Sequence, residues 1–362
     1  MTQQPVLPAP ALAHVPYQDL LSFTTKVFTD RGVPAERAAV AAEALCYGDL
    51  AGLGSHGLCN LSRLYLPLFD EGRVDPAAEP VVRTDLGACA VLDSDRALGL
   101  WAAADAMGSA ADRAERHGIG LVSVRNATHF GCAGFHSAIA ARRGMIGLVA
   151  SNCGGQRIAR PPGGALPMLG TNPLSIAAPA LDGHPFVLDM STTVVPTGRV
   201  RAAARAGSPV PAGWLSDDHG DPVTDPAAFD RGEAHLHWLG GSAETGAYKG
   251  FGLGLAVEVL AALLPGAQLG PTPEALAGDA GRDDDIGFLA LAFSPAKLRP
   301  DAGFAEAASL LFGSLLGCPP LDPRNPVRYP GWLEAERAAV NLRDGVPLSS
   351  PLYRELLELG LS

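Results

Sequence analysis

Charge and aromatic side chains are both scarce in this 362-residue chain: 18% of residues are charged, 6% are aromatic, and 27 Lys and Arg face 38 Asp and Glu. With a net charge of −11 and no dense basic cluster, the chain has little to neutralise a run of phosphates, so nucleic acid is not an expected partner. Long apolar runs are missing too. The longest, from Phe251 to Leu264, is too short for a bilayer and carries Glu258 in its middle, so it reads as a buried helix and no membrane partner is expected. The six cysteines (46, 59, 89, 132, 153 and 318) include no C-x-x-C pair, which argues against a disulfide framework and against a cysteine zinc site. The 43 glycines and 31 prolines follow no repeat. The opening MTQQPVLPAPALAHVPYQD lacks a basic segment followed by an apolar core; the expectation is a mobile arm over residues 1–15 of a cytoplasmic protein.

What is present fits a globular α/β protein, 47% hydrophobic and long enough for two or three lobes. Apolar spacing predicts helices over 17–31, 34–50 and 93–118, the last with Trp101, Ala104, Met107 and Ala111 on one stripe and Gly118 as its stop. The period then changes. Short β-rich runs at 119–124, 145–151, 174–179, 186–190 and 286–293 predict the strands of a central sheet. Glycine, proline and aspartate over 207–246 predict a surface loop, followed by a helix over 248–267, a second acidic loop, and helices over 302–317 and 333–361. The expected organisation is a helical, substrate and dimer lobe (16–125 plus 295–362) flanking a sheet lobe (126–294).

Four stretches concentrate polar groups that a scaffold would not need. GLGSHG (52–57) contains G-x-G-x-x-G, yet a helix precedes it where a dinucleotide fingerprint requires a strand, so a bend bearing Ser55 and His56 is expected instead. In RNATHFGCAGFH a strand gives way to a helix near Gly131, placing His129 at a positive helix end, which favours a neutral imidazole suited to proton transfer. A rival reading takes His129, Cys132 and His136 as metal ligands on one helix face. PPGGALPMLGTNP sets a rigid turn at Thr171, able to present amides to an anion, and FVLDMSTT with YKGFG puts Asp189 at a strand end and Lys249 at a helix start.

In this order, SHG, NATHFG, GTNP, VLDMST and YKGFGLGLAVEVL resemble the malate/L-lactate dehydrogenase family of non-Rossmann NAD(P)-dependent oxidoreductases, from about residue 16 to the C-terminus. Ureidoglycolate and sulfolactate dehydrogenases, diketogulonate reductase and piperideine/pyrroline-2-carboxylate reductases belong to that family. The resemblance implies its non-Rossmann α/β fold, a homodimer, and hydride transfer between NAD(H) or NADP(H) and a small 2-oxo acid, 2-hydroxy acid or cyclic imino acid. It makes His129 the acid/base, with Ser55 and His56 beside it and Thr171 toward the substrate. Cys153, Asp189, Met190, Ser191 and Lys249 fall on cofactor-binding segments. There are departures. Asn60 stands where the family commonly has a carboxylate-holding arginine, Ala51 and Gly54 replace an arginine and an aspartate, Arg199 replaces a lysine, and P-G-E reads Pro330-Gly331-Trp332. The altered position 60 predicts weak binding of a bare 2-oxo acid: either another cation, such as Arg63, fills the pocket from a different direction, or the natural substrate presents a neutral or differently placed group there, and the second is the expectation.

Overall fold

A computed structural model of the chain describes residues 12–242, 244–301 and 303–361. Most of the arm expected at the N-terminus lies outside them, but Leu12–Val15 forms strand β1. Pro16 and Pro34, whose fixed φ suits helix entry, precede α1 (Tyr17–Asp30) and α2 (Ala35–Leu50). A bend and two tight turns lead to α3 (Leu66–Asp70), then β2 (Val81–Asp85), β3 (Cys89–Ala97) and α4 (Gly99–His117), which Gly118 ends in the left-handed conformation at φ 84°. The middle of the chain supplies β4 (Ile119–Ala127), α5 (Ala133–Arg142), β5 (Ile146–Ser151), β6 (Leu174–Leu181), β7 (His184–Met190) and α6 (Thr197–Arg205). It continues through β8 (Leu215–Ser216), β9 (Pro222–Val223), α7 (Ala227–Asp230), β10 (His235–Leu236), α8 (Ala247–Glu258) and β11 (Ile286–Phe293). Helices α9 (Pro295–Leu298), α10 (Gly303–Leu316) and α11 (Trp332–Asp344), strand β12 (Val346–Ser349) and helix α12 (Ser350–Glu358) complete it.

All five runs read as strands belong to one seven-stranded sheet of order β2-β3-β4-β11-β5-β6-β7. β3 and β4 are its parallel pair, and the other neighbours are antiparallel. Its first two strands escaped the sequence pattern. β2 is exposed along its whole length, so it carries no alternation, and residues 93–97, assigned above to the third helix, end β3. Asp95 and Arg96, at φ 53° and 59°, turn the chain there, and the helix begins only at Gly99. The expected helix over 333–361 is likewise broken, by Gly345 at φ 90° and by β12, which pairs antiparallel with β1. The loop expected over 207–246 contains the small sheet β10-β8-β9, with a core of its own around Val200, Leu215 and Leu236.

Two larger cores hold these layers. One joins both chain ends, packing Leu20, Phe28, Leu45 and Trp101 with Leu356 and Leu361. The other seals α4 and α5 to the sheet through Met107, Val122 and Phe288. Each such buried side chain contributes about 1.5–3 kcal/mol. No helix among the described residues is long and apolar enough to cross a membrane.

Candidate active site

The sheet register places the loops that carry polar residues at one end of the sheet. Ala150, near the end of β5, pairs with Leu174 at the start of β6, which pairs with Met190 at the end of β7. On the other side, Ile286 at the start of β11 pairs with Ala127 at the end of β4. Loops leaving this rim line a cleft of about 730 Å³, closed opposite by the Gly52–His56 bend, by Pro196, Arg199 and Ala202 around α6, and by Glu334 and Arg337 of α11. Clefts of this size hold small molecules and cofactors.

His129 lies on the loop between β4 and α5, directly below α4. The approach is tight: a Cβ at Gly99 would stand 2.0 Å from the Thr128 carbonyl oxygen, so only glycine lets the helix start here. Thr128 donates to the Ala97 carbonyl and accepts from the Gly99 amide at 3.0 Å, which fixes the loop. The imidazole Nδ1 is 2.8 Å from the Tyr65 hydroxyl and accepts from the Gly131 amide at 3.2 Å. Burial, followed by the nearby His56, pushes the His129 pKa down to about 3, so the ring is neutral at pH 7. The His56 ring lies nearly parallel, with centroids 6.3 Å apart, and its own pKa is lowered by burial and by Arg63.

The SHG bend hangs on a residue that no sequence motif singles out. Asp49, near the end of α2, is buried and accepts from the Leu58 amide at 2.6 Å. Gly57 packs so closely on this carboxylate that a Cβ would fall 2.1 Å from Asp49 Oδ2. In the bend, Ser55 Oγ lies 3.0 Å from His56 Nδ1. Asn60 is buried outside the cleft lining, and both ends of its amide are engaged: Nδ2 donates to the Ser55 carbonyl at 3.0 Å, and Oδ1 accepts from Arg63 at 2.5 Å. It braces the bend from behind. The cations on the cleft wall are Arg199 of α6 and Arg337 of α11.

Across the cleft, Cys153, Thr171, Asp189, Met190 and Ser191 are brought together, whereas Lys249 is exposed and outside the lining. Asp189 opens onto the cleft and accepts from the Gly134 amide at 2.7 Å; its setting deep between the cleft walls pushes its pKa up to about 6. The buried Glu258 of α8 orders this wall from below, accepting from Asn152 Nδ2 at 3.4 Å and from Asn172 Nδ2 and the Gly270 amide at 2.8 Å each. Its position in an apolar helix was the signal available in the sequence. Asp283 also lines the cleft, held by Arg73 at 2.5 Å. The metal-ligand reading of His129, Cys132 and His136 loses its geometry. His136 Nε2 donates to the Phe130 carbonyl at 2.8 Å, Cys132 is a buried residue capping α5, and no group of three His, Cys, Asp or Glu among the described residues is arranged to hold a metal.

A sequence profile of malate/L-lactate dehydrogenase matches residues 15–357. The chain belongs to that family. It is 30% identical over 349 residues to malate dehydrogenase from Pyrococcus abyssi, covering 95% of this chain and 92% of the relative. The crystal structure of malate dehydrogenase from Entamoeba histolytica superimposes with a TM-score of 0.89 at 29% identity, covering 96% of this chain and 97% of that one. Delta1-piperideine-2-carboxylate reductase from Pseudomonas syringae gives a TM-score of 0.82 at 27% identity, covering 96% and 100%. As a member of the malate/L-lactate dehydrogenase family the protein is an NAD(P)-dependent oxidoreductase, and its cleft fits such a cofactor. The Asp189 carboxyl and the Ser191 hydroxyl offer acceptors suited to ribose hydroxyls, and Arg199 and Arg337 offer charge suited to phosphate or carboxylate.

Proposed function

We propose that the protein transfers hydride between NAD(H) or NADP(H) and a small 2-oxo acid, 2-hydroxy acid or cyclic imino acid, with His129 as the proton donor and acceptor. The observation that carries this is a neutral imidazole held rigidly at the sheet end, beside a second imidazole and across the cleft from the Cys153, Asp189, Met190 and Ser191 wall. A bound nicotinamide supplies or receives the hydride. The chain's own work is positional and protonic. Ser55 and His56 fix the substrate side of His129, Thr171 closes the cleft beside Cys153, and the four residues of the opposite wall hold the cofactor. Names borne by relatives, malate dehydrogenase and piperideine-2-carboxylate reductase, support both the carboxylate and the C=O or C=N group.

Arg199 and Arg337, in place of position 60, hold the substrate carboxylate in this account, because Asn60 is spent on the bend. The protein acts as a cytoplasmic homodimer: Val259 and Leu263, 51% and 58% exposed in the turn after α8, and Leu310 and Leu311 of α10, 72% and 56% exposed, form apolar faces suited to a second copy.

The test is turnover of pyruvate, a cyclic imino acid and their amide counterparts with NADH and NADPH. Wild type is expected to prefer the free carboxylates, and Arg199→Gln or Arg337→Gln to raise KM for them about ten- to hundredfold, the range for one lost hydrogen bond to a charged group, with less effect on the amides. Equal turnover of amide and acid by wild type contradicts the carboxylate anchor, and failure to oxidise either reduced cofactor with any of these substrates contradicts the proposed reaction.

A further inference from the structure

Two different kinds of hydrogen-bond donor meet one nitrogen of His129. The Gly131 amide donates to Nδ1 at 3.2 Å, and the Tyr65 hydroxyl lies 2.8 Å from the same atom. An amide can only donate, so at rest Nδ1 carries a lone pair and the ring proton sits on Nε2. A hydroxyl can donate or accept. We propose that Tyr65 is the positioning residue that serves His129 Nδ1 with and without its proton, donating to the bare nitrogen at rest and accepting from Nδ1–H in the reactive neutral tautomer and in the imidazolium. This rests on His129 being the proton-transfer group proposed above.

The proton count requires such a partner. In oxidation of a hydroxy acid the C–H hydride leaves for the cofactor, and the hydroxyl proton passes to Nε2. Nε2 must therefore be bare beforehand, so the resting ring first releases its Nε2 proton to solvent and takes one up on Nδ1, and the product is an imidazolium carrying both protons. In reduction the imidazolium gives its Nε2 proton to the oxygen or nitrogen that hydride has just made basic, and again ends with its proton on Nδ1. The Gly131 N–H points at that proton and opposes it in both directions. The Tyr65 oxygen offsets the opposition.

Local structure explains the placement. The chain widens into a π turn over Leu61–Tyr65 before α3, an irregularity common at functional sites, and Tyr65 is fully buried with its ring 5.8 Å from the imidazole. The other ionisable groups acting on His129 come from separate elements: His56 from the bend, Arg63 from the π turn and His136 from α5 disfavour its charged form, and Asp283 from the loop before β11 favours it. Burial outweighs them all. An imidazolium with an unpaired Nδ1–H would be harder still to form.

The experiment combines ¹⁵N spectra of histidine-labelled protein, assigned by difference with His129→Asn, and pH–rate profiles of wild type and Tyr65→Phe. Wild type at neutral pH should show a pyridine-type Nδ1 and a pyrrole-type Nε2 at His129. In Tyr65→Phe, kcat should fall about ten- to hundredfold and the kinetic pKa should move down by about one unit, as expected for one lost hydrogen bond to a charged group, while cofactor Kd stays within about twofold. A pyrrole-type Nδ1 in resting wild type overturns the assignment without any variant. An unchanged pH–rate profile and kcat in Tyr65→Phe, with His129→Asn inactive, overturns the role of Tyr65 alone. Normal turnover by His129→Asn overturns the role of His129 itself.

Discussion

At the scale of single residues, the most consequential is a carboxyl buried without a cation. Burial raises the Asp49 pKa to about 7, and the bond from the Leu58 amide only partly opposes this. An unfolded aspartate titrates near 3.9, so between about pH 4 and 7 the folded chain keeps a proton that the unfolded chain has lost. Asp49 therefore favours folding in mild acid, and that contribution is lost as pH rises through 7. His129 and His136 act in the opposite sense. With folded pKa values near 3 and 4, below the unfolded 6.5, their contribution is present above about 6.5 and lost as pH falls. Asp49→Asn keeps an acceptor for Leu58 and removes one titration. Its unfolding free energy relative to wild type should improve between pH 5.5 and 8, measured by denaturant melts; a difference independent of pH would contradict a buried, titrating Asp49. Asp49 was illegible in the sequence because an acid near a helix end looks like a solvated one. His129 and Ser55-His56 were legible, because glycines around short polar runs single them out. The engagement of Asn60 and the hydroxyl of Tyr65 were not, since both depend on which way an irregular turn faces.

At the scale of elements, the site depends on how closely α2, the SHG bend and α6 approach one another. Gly57 has φ −97° and ψ −149°, which other residues can adopt, so the cost of a side chain there is steric: the Cβ would fall 2.1 Å from Asp49 Oδ2. Gly57→Ala should destabilise the fold by about 1–3 kcal/mol, the usual cost of overpacking, and displace Ser55 and His56 enough to depress turnover. Gly108→Ala is the control. It lies inside α4 with nothing within 4 Å of its Cβ, and should stabilise by up to about 1 kcal/mol. Equal effects of the two changes on melting would contradict the packed bend. The same closeness explains which elements the sequence revealed. Strands covered by helices, such as β4 and β11, announce themselves as apolar runs, whereas β2, exposed throughout, and β12, four residues at the seam between the chain ends, carry no pattern. The order of strands at the rim, which assembles the cleft, lies in long-range pairing that no local period encodes.

At the scale of the whole molecule, the exposed leucines of α8, the turn after it and α10 bear on assembly. The proposed homodimer should appear in sedimentation of the wild type, and Val259→Glu with Leu311→Glu should yield a folded monomer. A wild type that sediments as a monomer would leave those faces without the occupant assigned to them. The central claim is that one end of the sheet holds a nicotinamide cofactor on one wall and a proton-transferring imidazole on the other, so binding and chemistry must separate by mutation. The most direct measurement is single-turnover reduction of a 2-oxo or imino acid by NADH or NADPH in His129→Ala, alongside cofactor affinity by calorimetry. The chemical step should slow by about 10²- to 10⁴-fold with cofactor Kd essentially unchanged. A normal chemical step in the variant, or a loss confined to cofactor binding, would contradict it.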